Sequence, residues 1–400
     1  MGLVGDCGHT ADKLVSRSLQ VNHEEHVSMA TPSLYSRLGL RPFINGCGTI
    51  TTLGGSIMPS RVVEAMVEAS RAFVDLNEFQ ARASARIAEL TGAEAAFICS
   101  GAASGMLLAG AACLAGTDPE RIQRLPEVRG ERRDVVISLV DPHYYVHQGF
   151  ELCGARLRRV GTPERVTTDD YAAALGPDCA AAVFFLGCQP KADIAEVVRL
   201  AHAHGVPVIV DAAAQLPPRA NLVDLPALGV DLSVFSGGKG LFGPQSSGLV
   251  LGRRDLVQAC ALNSNPHSAI GRGMKVGKEE IAGLLTAIEL FFEQDEDALI
   301  AEWQRRCRVI GDAVADLPGM SVTYTLPFEN RFPPASPLVH VHFGAEAEVR
   351  GGEARQALRD GEPSIVVSGS DAALTVGPQT LQDGEAEVVA TRLRAILARD

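Results

Sequence analysis

An α/β fold, with a largely parallel sheet covered by helices on both faces and a smaller α+β domain after it, is predicted by three features of this chain. Apolar runs of strand length alternate with helix-period segments through its first two thirds. These runs are almost continuously apolar, as strands buried on both faces must be. The last third changes to long helical spacing followed by alternating strand patterns.

Strands are expected at Ala95–Cys99, Val135–Val140, Ala155–Val160, Ala181–Leu186, Val206–Val210, Leu232–Phe235 and Gly248–Leu251. Helical spacing places helices at Ser60–Phe73, Asn77–Leu90, Ala103–Leu114, Tyr144–Leu152 and Ile194–His204. From Lys278 to about Ala315, the set Ile281, Leu284, Leu285, Ile288, Phe291 and Phe292 predicts one or two long helices with a core-facing stripe. Strand-like Leu338–Phe343, Ser364–Val367 and Ala372–Val376 and a closing helix at Glu385–Ala398 complete the small domain. The division expected is an N-terminal arm over 1–40, a large domain over 41–285 and a small C-terminal domain over 286–400. The arm is polar, carries His23, Glu24, Glu25 and His26, and lacks the apolar core and cleavage site of a signal peptide.

At 400 residues the chain exceeds one ordinary core, and 46% hydrophobic with 21% charged residues is a globular balance. The net charge of −12 and the absence of a dense Lys/Arg run argue against a nucleic-acid partner. No stretch reaches the ~18 to 20 apolar residues of a membrane span. Nine cysteines without a C-x-x-C pair suit reduced core thiols, so a cytoplasmic location is expected. Cys47, in the glycine-rich NGCGT, reads as buried filler rather than a reactive thiol. His202/His204 and His340/His342 belong to no fuller ligand set, so no metal is expected.

The chemistry concentrates around one lysine. The chain has only five lysines, and Lys239 alone sits at a strand end among glycines, in SGGKGLFGPQSSG (236–248). A phosphate loop is excluded because Ser233 and Gly240 stand where that motif needs glycine and Ser/Thr. Upstream, the apolar run VPVIV ends in Asp211. A lysine for a Schiff base and a carboxylate for a pyridine nitrogen are the pair that pyridoxal phosphate needs.

Ser100, Gly101 and Ala102 lie between a strand and a helix start, where free N–H groups can cradle the cofactor phosphate. His143 in DPHYYVH (141–147) also follows a strand and could stack on the cofactor, with Tyr144 and His147 as competitors. Gln215, Ser236 and Gln245 are polar neighbours of the two anchors. Arg272 and Lys275 are cations ahead of a helix start, unfavourable to its dipole unless an anion compensates, and are candidates to hold a substrate anion.

These residues resemble the fold-type-I pyridoxal-phosphate enzymes of the L-seryl-tRNA(Sec) selenium transferase-like family, and within it the D-glucosaminate-6-phosphate ammonia-lyase branch. The similar stretches are INGCGTITTLGGS (44–56), IAELTGAEAAFICSGAASG (87–105), VPVIVDAAAQLPP (206–218), VFSGGKGLFGPQSSGLVLGRRDL (234–256) and RGMKVGKEEIAGLL (272–285). The resemblance implies an aspartate aminotransferase-like fold, Lys239 as the imine lysine, Asp211 as the pyridinium partner, Ser100 to Ala102 as phosphate contacts, and a homodimer or higher homo-oligomer. Two positions depart from the transferase pattern: Gly238 replaces an acidic residue and Lys275 an arginine.

The activity expected is α,β-elimination from a small, anionic β-hydroxy or sugar-derived amino acid, with ammonia and a 2-oxo acid as products. Lys239, Asp211 and His143 are the catalytic candidates. Alternatives are β-substitution as in selenium or sulfur transfer, aldol cleavage, racemisation, or a non-catalytic pyridoxal-phosphate-binding protein.

Overall fold

The computed structural model describes residues 33–130, 132–326 and 336–398; most of the expected N-terminal arm lies outside them. The chain divides into two compact units, Met1–Pro42 and Phe43–Asp400. In the first, Leu34–Arg37 form a short helix whose N-cap Ser33 Oγ accepts a hydrogen bond from the Ser36 N–H at 3.1 Å.

In the second unit the strands, in chain order, are β1 (Phe43–Asn45), β2 (Ala95–Cys99), β3 (Asp134–Ser138), β4 (Arg156–Val160), β5 (Cys179–Phe185), β6 (Val208–Asp211), β7 (Leu232–Ser236), β8 (Gly248–Gly252), β9 (Met320–Thr325), β10 (Leu338–Phe343), β11 (Ser364–Val366), β12 (Ser368–Gly369) and β13 (Ala373–Val376). Seven of them form the large sheet in the order β2-β8-β7-β6-β5-β3-β4. β8 runs antiparallel to both β2 and β7, and the remaining pairs are parallel. The carboxyl ends of the other six strands therefore open on one edge.

Period-two alternation divides the side chains of this sheet between two cores. Ile98, Val136, Phe184, Val210, Phe235 and Leu249 enter one, packed by helices Leu76–Thr91, Ile194–His202 and Lys278–Glu293. Phe97, Ile137, Val183, Ile209, Val234 and Val250 enter the other, packed by Ala102–Ala115, Tyr144–Leu152 and Arg254–Leu262. The helix Ala102–Ala115 is apolar all round, and nearly every residue in it is buried.

The antiparallel sheet β12-β13-β10-β9 lies against helices Glu296–Asp312, Gly351–Asp360 and Glu385–Leu397 around a third core that includes Val339, Val341, Ile310, Leu358 and Leu393. Two features of this region differ from the expected domain limits. β1 pairs in parallel with β11, Ile44 beside Ile365, so the chain after residue 42 enters the C-terminal core rather than the large sheet. The expected break at 285/286 falls inside the helix Lys278–Glu293, whose stripe from Ile281 to Phe291 stays in the large-sheet core. The one or two long helices expected are two, separated at Asp295, whose carboxylate caps the second by accepting from the Ala298 N–H at 3.0 Å. Among the described residues, no helix is long and apolar enough to cross a membrane.

Candidate active site

Adjacent strand ends bring the two anchors together. Asp211 closes β6 opposite Val234 of β7, and Lys239 follows three residues after the end of β7. Asp211 turns one oxygen, Oδ1, onto the Ala213 N–H at 2.9 Å. Burial, with the Asp141 charge added, holds the Asp211 carboxyl above the usual range; the Ala213 N–H, Lys239 and His143 oppose the rise. Burial pushes the Lys239 ammonium down against the attraction of Asp211, which favours the free amine that a carbonyl needs.

Glycine on either side of Lys239 is a steric requirement. A Cβ at Gly238 would lie 2.4 Å from Gln245 Cα, and one at Gly240 would lie 2.0 Å from the Leu216 carbonyl oxygen. The loop is thus wedged between two other backbone segments, and an acidic side chain could not replace Gly238 without moving one of them. A third segment closes over the same turn: Ser56 Oγ donates to the Gly238 carbonyl at 3.1 Å, and Gln245 Nε2 donates to the Thr51 carbonyl at 2.7 Å.

His143 occupies the N-cap position of helix Tyr144–Leu152 but makes no capping bond through its side chain. The ring turns back to Asp141, with Nδ1 2.7 Å from Oδ1. Its competitors are placed differently. His147 is buried, stacked on Phe185 with ring centroids 6.1 Å apart, and burial pushes its imidazole below the usual range. Tyr144 is exposed and stacks on His147. Of the three, His143 is the one whose charge acts on Asp211.

Sequence reasoning missed Asp141 as a site residue, and also Tyr145 and Cys188. Asp141 is buried beside His143, and the Tyr145 and Cys188 side chains both sense the charges of Asp141 and Asp211. Burial pushes the Cys188 thiol up to about 11, so it stays protonated. The one available signal was the D-x-H spacing just beyond a strand.

Ser100, Gly101 and Ala102 stand at the β2 end of the same edge. Gly101 caps Ala102–Ala115 with no side-chain bond, leaving first-turn N–H groups for an anion. Ser104 Oγ donates to the Gly101 carbonyl at 2.7 Å and holds this turn. Gln215 packs over Gly187, where a Cβ would meet its Nε2 at 2.2 Å. Ser236 ends β7 and is half-buried. Arg272 and Lys275 are exposed on the segment before helix Lys278–Glu293, and neither is among the charges acting on Lys239 or Asp211. Of the four histidines expected to be structural, three have side-chain partners: His202 bonds Asp231, and His340 and His342 bond threonines across the small sheet.

Comparison with known proteins places this arrangement. The family model described as "SelA: L-seryl-tRNA selenium transferase" matches residues 43–301. The chain belongs to the L-seryl-tRNA selenium transferase family. Among its relatives, the D-glucosaminate-6-phosphate ammonia lyase of Salmonella typhimurium is 29% identical over 377 residues, covering 92% of this chain and 98% of the relative. The 5'-C-glycyluridine monooxygenase-decarboxylase of a Streptomyces species is 35% identical over 296 residues, 72% of each chain. A solved D-glucosaminate-6-phosphate ammonia-lyase superposes with a TM-score of 0.77 at 28% identity, covering 92% of this chain and 98% of that one. The fold is that of the fold-type-I pyridoxal-phosphate enzymes, and the chain is an enzyme.

Proposed function

We propose that this chain is a pyridoxal-phosphate-dependent lyase that eliminates ammonia from a small, anionic β-hydroxy or sugar-derived amino acid. The observation that carries the proposal is the near full-length similarity to an ammonia lyase in both sequence and structure. The cofactor of the family is pyridoxal phosphate, and the residues present fit it. A half-buried amine whose pKa is lowered by burial stands near a carboxylate whose pKa is raised by burial. When bound, the cofactor supplies an electron sink conjugated to the α-carbon of an amino acid.

In this reading Lys239 Nζ would hold the cofactor's aldehyde group and would serve as the base for the α-proton. Asp211 would hold the ring N–H through the oxygen not committed to Ala213. The N–H groups that follow Gly101 would receive the phosphate, and Gln215 and Ser236 are polar neighbours of the two anchors. His143 lies beside this cluster as the ring available for stacking or proton transfer. Arg272 and Lys275 are the cations offered to the substrate's anionic group. The chain's net negative charge supports a small-molecule substrate over a nucleic-acid partner, and homo-oligomeric assembly is part of the proposal.

A second reading is supported by the higher identity, over a shorter span, to the monooxygenase-decarboxylase. One screen separates the readings: sugar-derived and β-hydroxy amino acids, free and phosphorylated, assayed for ammonia, 2-oxo acid and oxygen uptake, with Lys239→Ala as the control. Ammonia and 2-oxo acid without oxygen uptake, lost in Lys239→Ala, is the expected outcome. Oxygen consumption with carbon dioxide release would replace it by the second reading. Selenium transfer to seryl-tRNA with no ammonia from any free amino acid would establish the transferase.

A further inference from the structure

We infer that Asp141 is a positioning residue that holds the His143 imidazole in one tautomer, making Nε2 the atom that protonates the leaving hydroxyl. The inference rests on the elimination reading above. Asp141 lies in the loop beyond β3 with its side chain only 4% exposed, whereas the His143 side chain is 58% exposed. Asp141 Oδ1 stands 2.7 Å from His143 Nδ1, and Oδ2 is buried with no hydrogen-bond partner among the described residues. A carboxylate only accepts, so the hydrogen between them belongs to Nδ1. Nε2 then has no protein hydrogen-bond partner among the described residues.

The surroundings fix the ring further. Tyr145 packs edge-on against it with centroids 5.6 Å apart and planes at 64°. Asp211 feels both Asp141 and His143, so the pair belongs to the same charged cluster as Lys239. The buried carboxylate has its one hydrogen bond to His143, and His143 gives up a helix-capping bond for it. A histidine placed only to cap the helix would not be arranged this way.

The proton inventory of the step closes. Lys239 Nζ takes the α-proton, and the C–H electron pair becomes the new carbon–carbon π bond. The β-carbon–oxygen bond breaks with its pair on oxygen, and the doubly protonated ring gives that oxygen its Nε2 proton, so water departs. His143 is left neutral, its remaining proton on Nδ1 against Asp141. The proton on Lys239 returns to the ring through solvent.

The test begins without turnover. In the cofactor-free wild-type protein labelled with ¹⁵N-histidine, the His143 resonances, assigned by their loss in His143→Gln, should report a protonated Nδ1 in the neutral ring. Asp141→Asn, which can present either a carbonyl or an amide to the ring, should give a mixture of tautomers. In the loaded enzyme Asp141→Asn should lower kcat by about 100-fold, within the range of general acid catalysis, with KM changed less than about twofold. Asp141→Asn/His143→Gln should be no slower than His143→Gln alone. A neutral ring with bare Nδ1 in the wild-type protein, or wild-type kcat in Asp141→Asn, would overturn the inference. A wild-type chain that releases no ammonia would instead sink the elimination reading, and the tautomer measurement, which needs no activity, would still decide the positioning role.

Discussion

Asp211→Asn should weaken catalysis and strengthen the cofactor-free fold. Asparagine keeps an acceptor for the Ala213 N–H, now at 2.9 Å, so the local turn survives. What it removes is a half-buried negative charge. In the loaded enzyme that charge would face the cofactor's ring nitrogen, and hydrogen bonds to charged groups contribute about 1.5–3 kcal/mol. At about 1.4 kcal/mol per decade of rate, turnover should fall roughly 10- to 140-fold. In the cofactor-free protein the sign reverses, because burial holds the Asp211 carboxyl above the usual value of 3.8 despite the help of Lys239. Between 3.8 and the raised folded-state value, the folded chain holds a proton that the unfolded chain has released. Stability therefore falls as pH rises through that window, and asparagine removes this dependence. Urea unfolding of both cofactor-free proteins from pH 4 to 8 should show the advantage of Asp211→Asn growing with pH and then levelling, alongside the loss of turnover. A variant less stable than wild type at neutral pH, or one with full turnover, would refute the reasoning.

Two further predictions concern the frame of the site. Gly238→Ala places a Cβ 2.4 Å from Gln245 Cα, and such overpacking against backbone should cost at least about 1–3 kcal/mol in denaturant unfolding; an unchanged midpoint would show that the loop is not wedged. Asp134, fully buried, receives Arg156 Nε at 2.6 Å and Nη2 at 2.7 Å and is also bonded by Arg158. Because the two guanidinium groups remain partly exposed, Asp134→Ala should cost about 1–3 kcal/mol, less than a fully buried pair. The Arg156 and Arg158 bonds hold the Asp134 carboxyl below the usual range, so the wild-type advantage should be present above pH 3.8 and vanish as pH falls through the folded-state value; an advantage independent of pH would contradict that account.

The sequence by itself determined the elements whose signal is local. The run Ala95–Cys99 forms β2 residue for residue, and Tyr144–Leu152 forms a helix with the expected limits, because period and turn chemistry act over neighbouring residues. The lysine and the aspartate stand out for the same reason: Asp211 ends an apolar strand, Lys239 follows one by three residues, and the glycines around Lys239 mark a close backbone approach. Whatever depends on distant partners was settled only by tertiary structure. Nothing local distinguishes β8 as the one antiparallel strand, lodged between β2 and β7, because its direction follows from the path of the chain through residues 237–247. Phe43–Asn45 carries no mark of its pairing with Ser364–Val366, some three hundred residues away. Asp141 reads as an ordinary loop acid until folding buries it between His143 and the charge of Asp211. Its partner His143 is two residues away, but its burial and the neighbouring charge of Asp211 depend on strands β3 and β6, which the sheet brings to one edge and the chain keeps far apart.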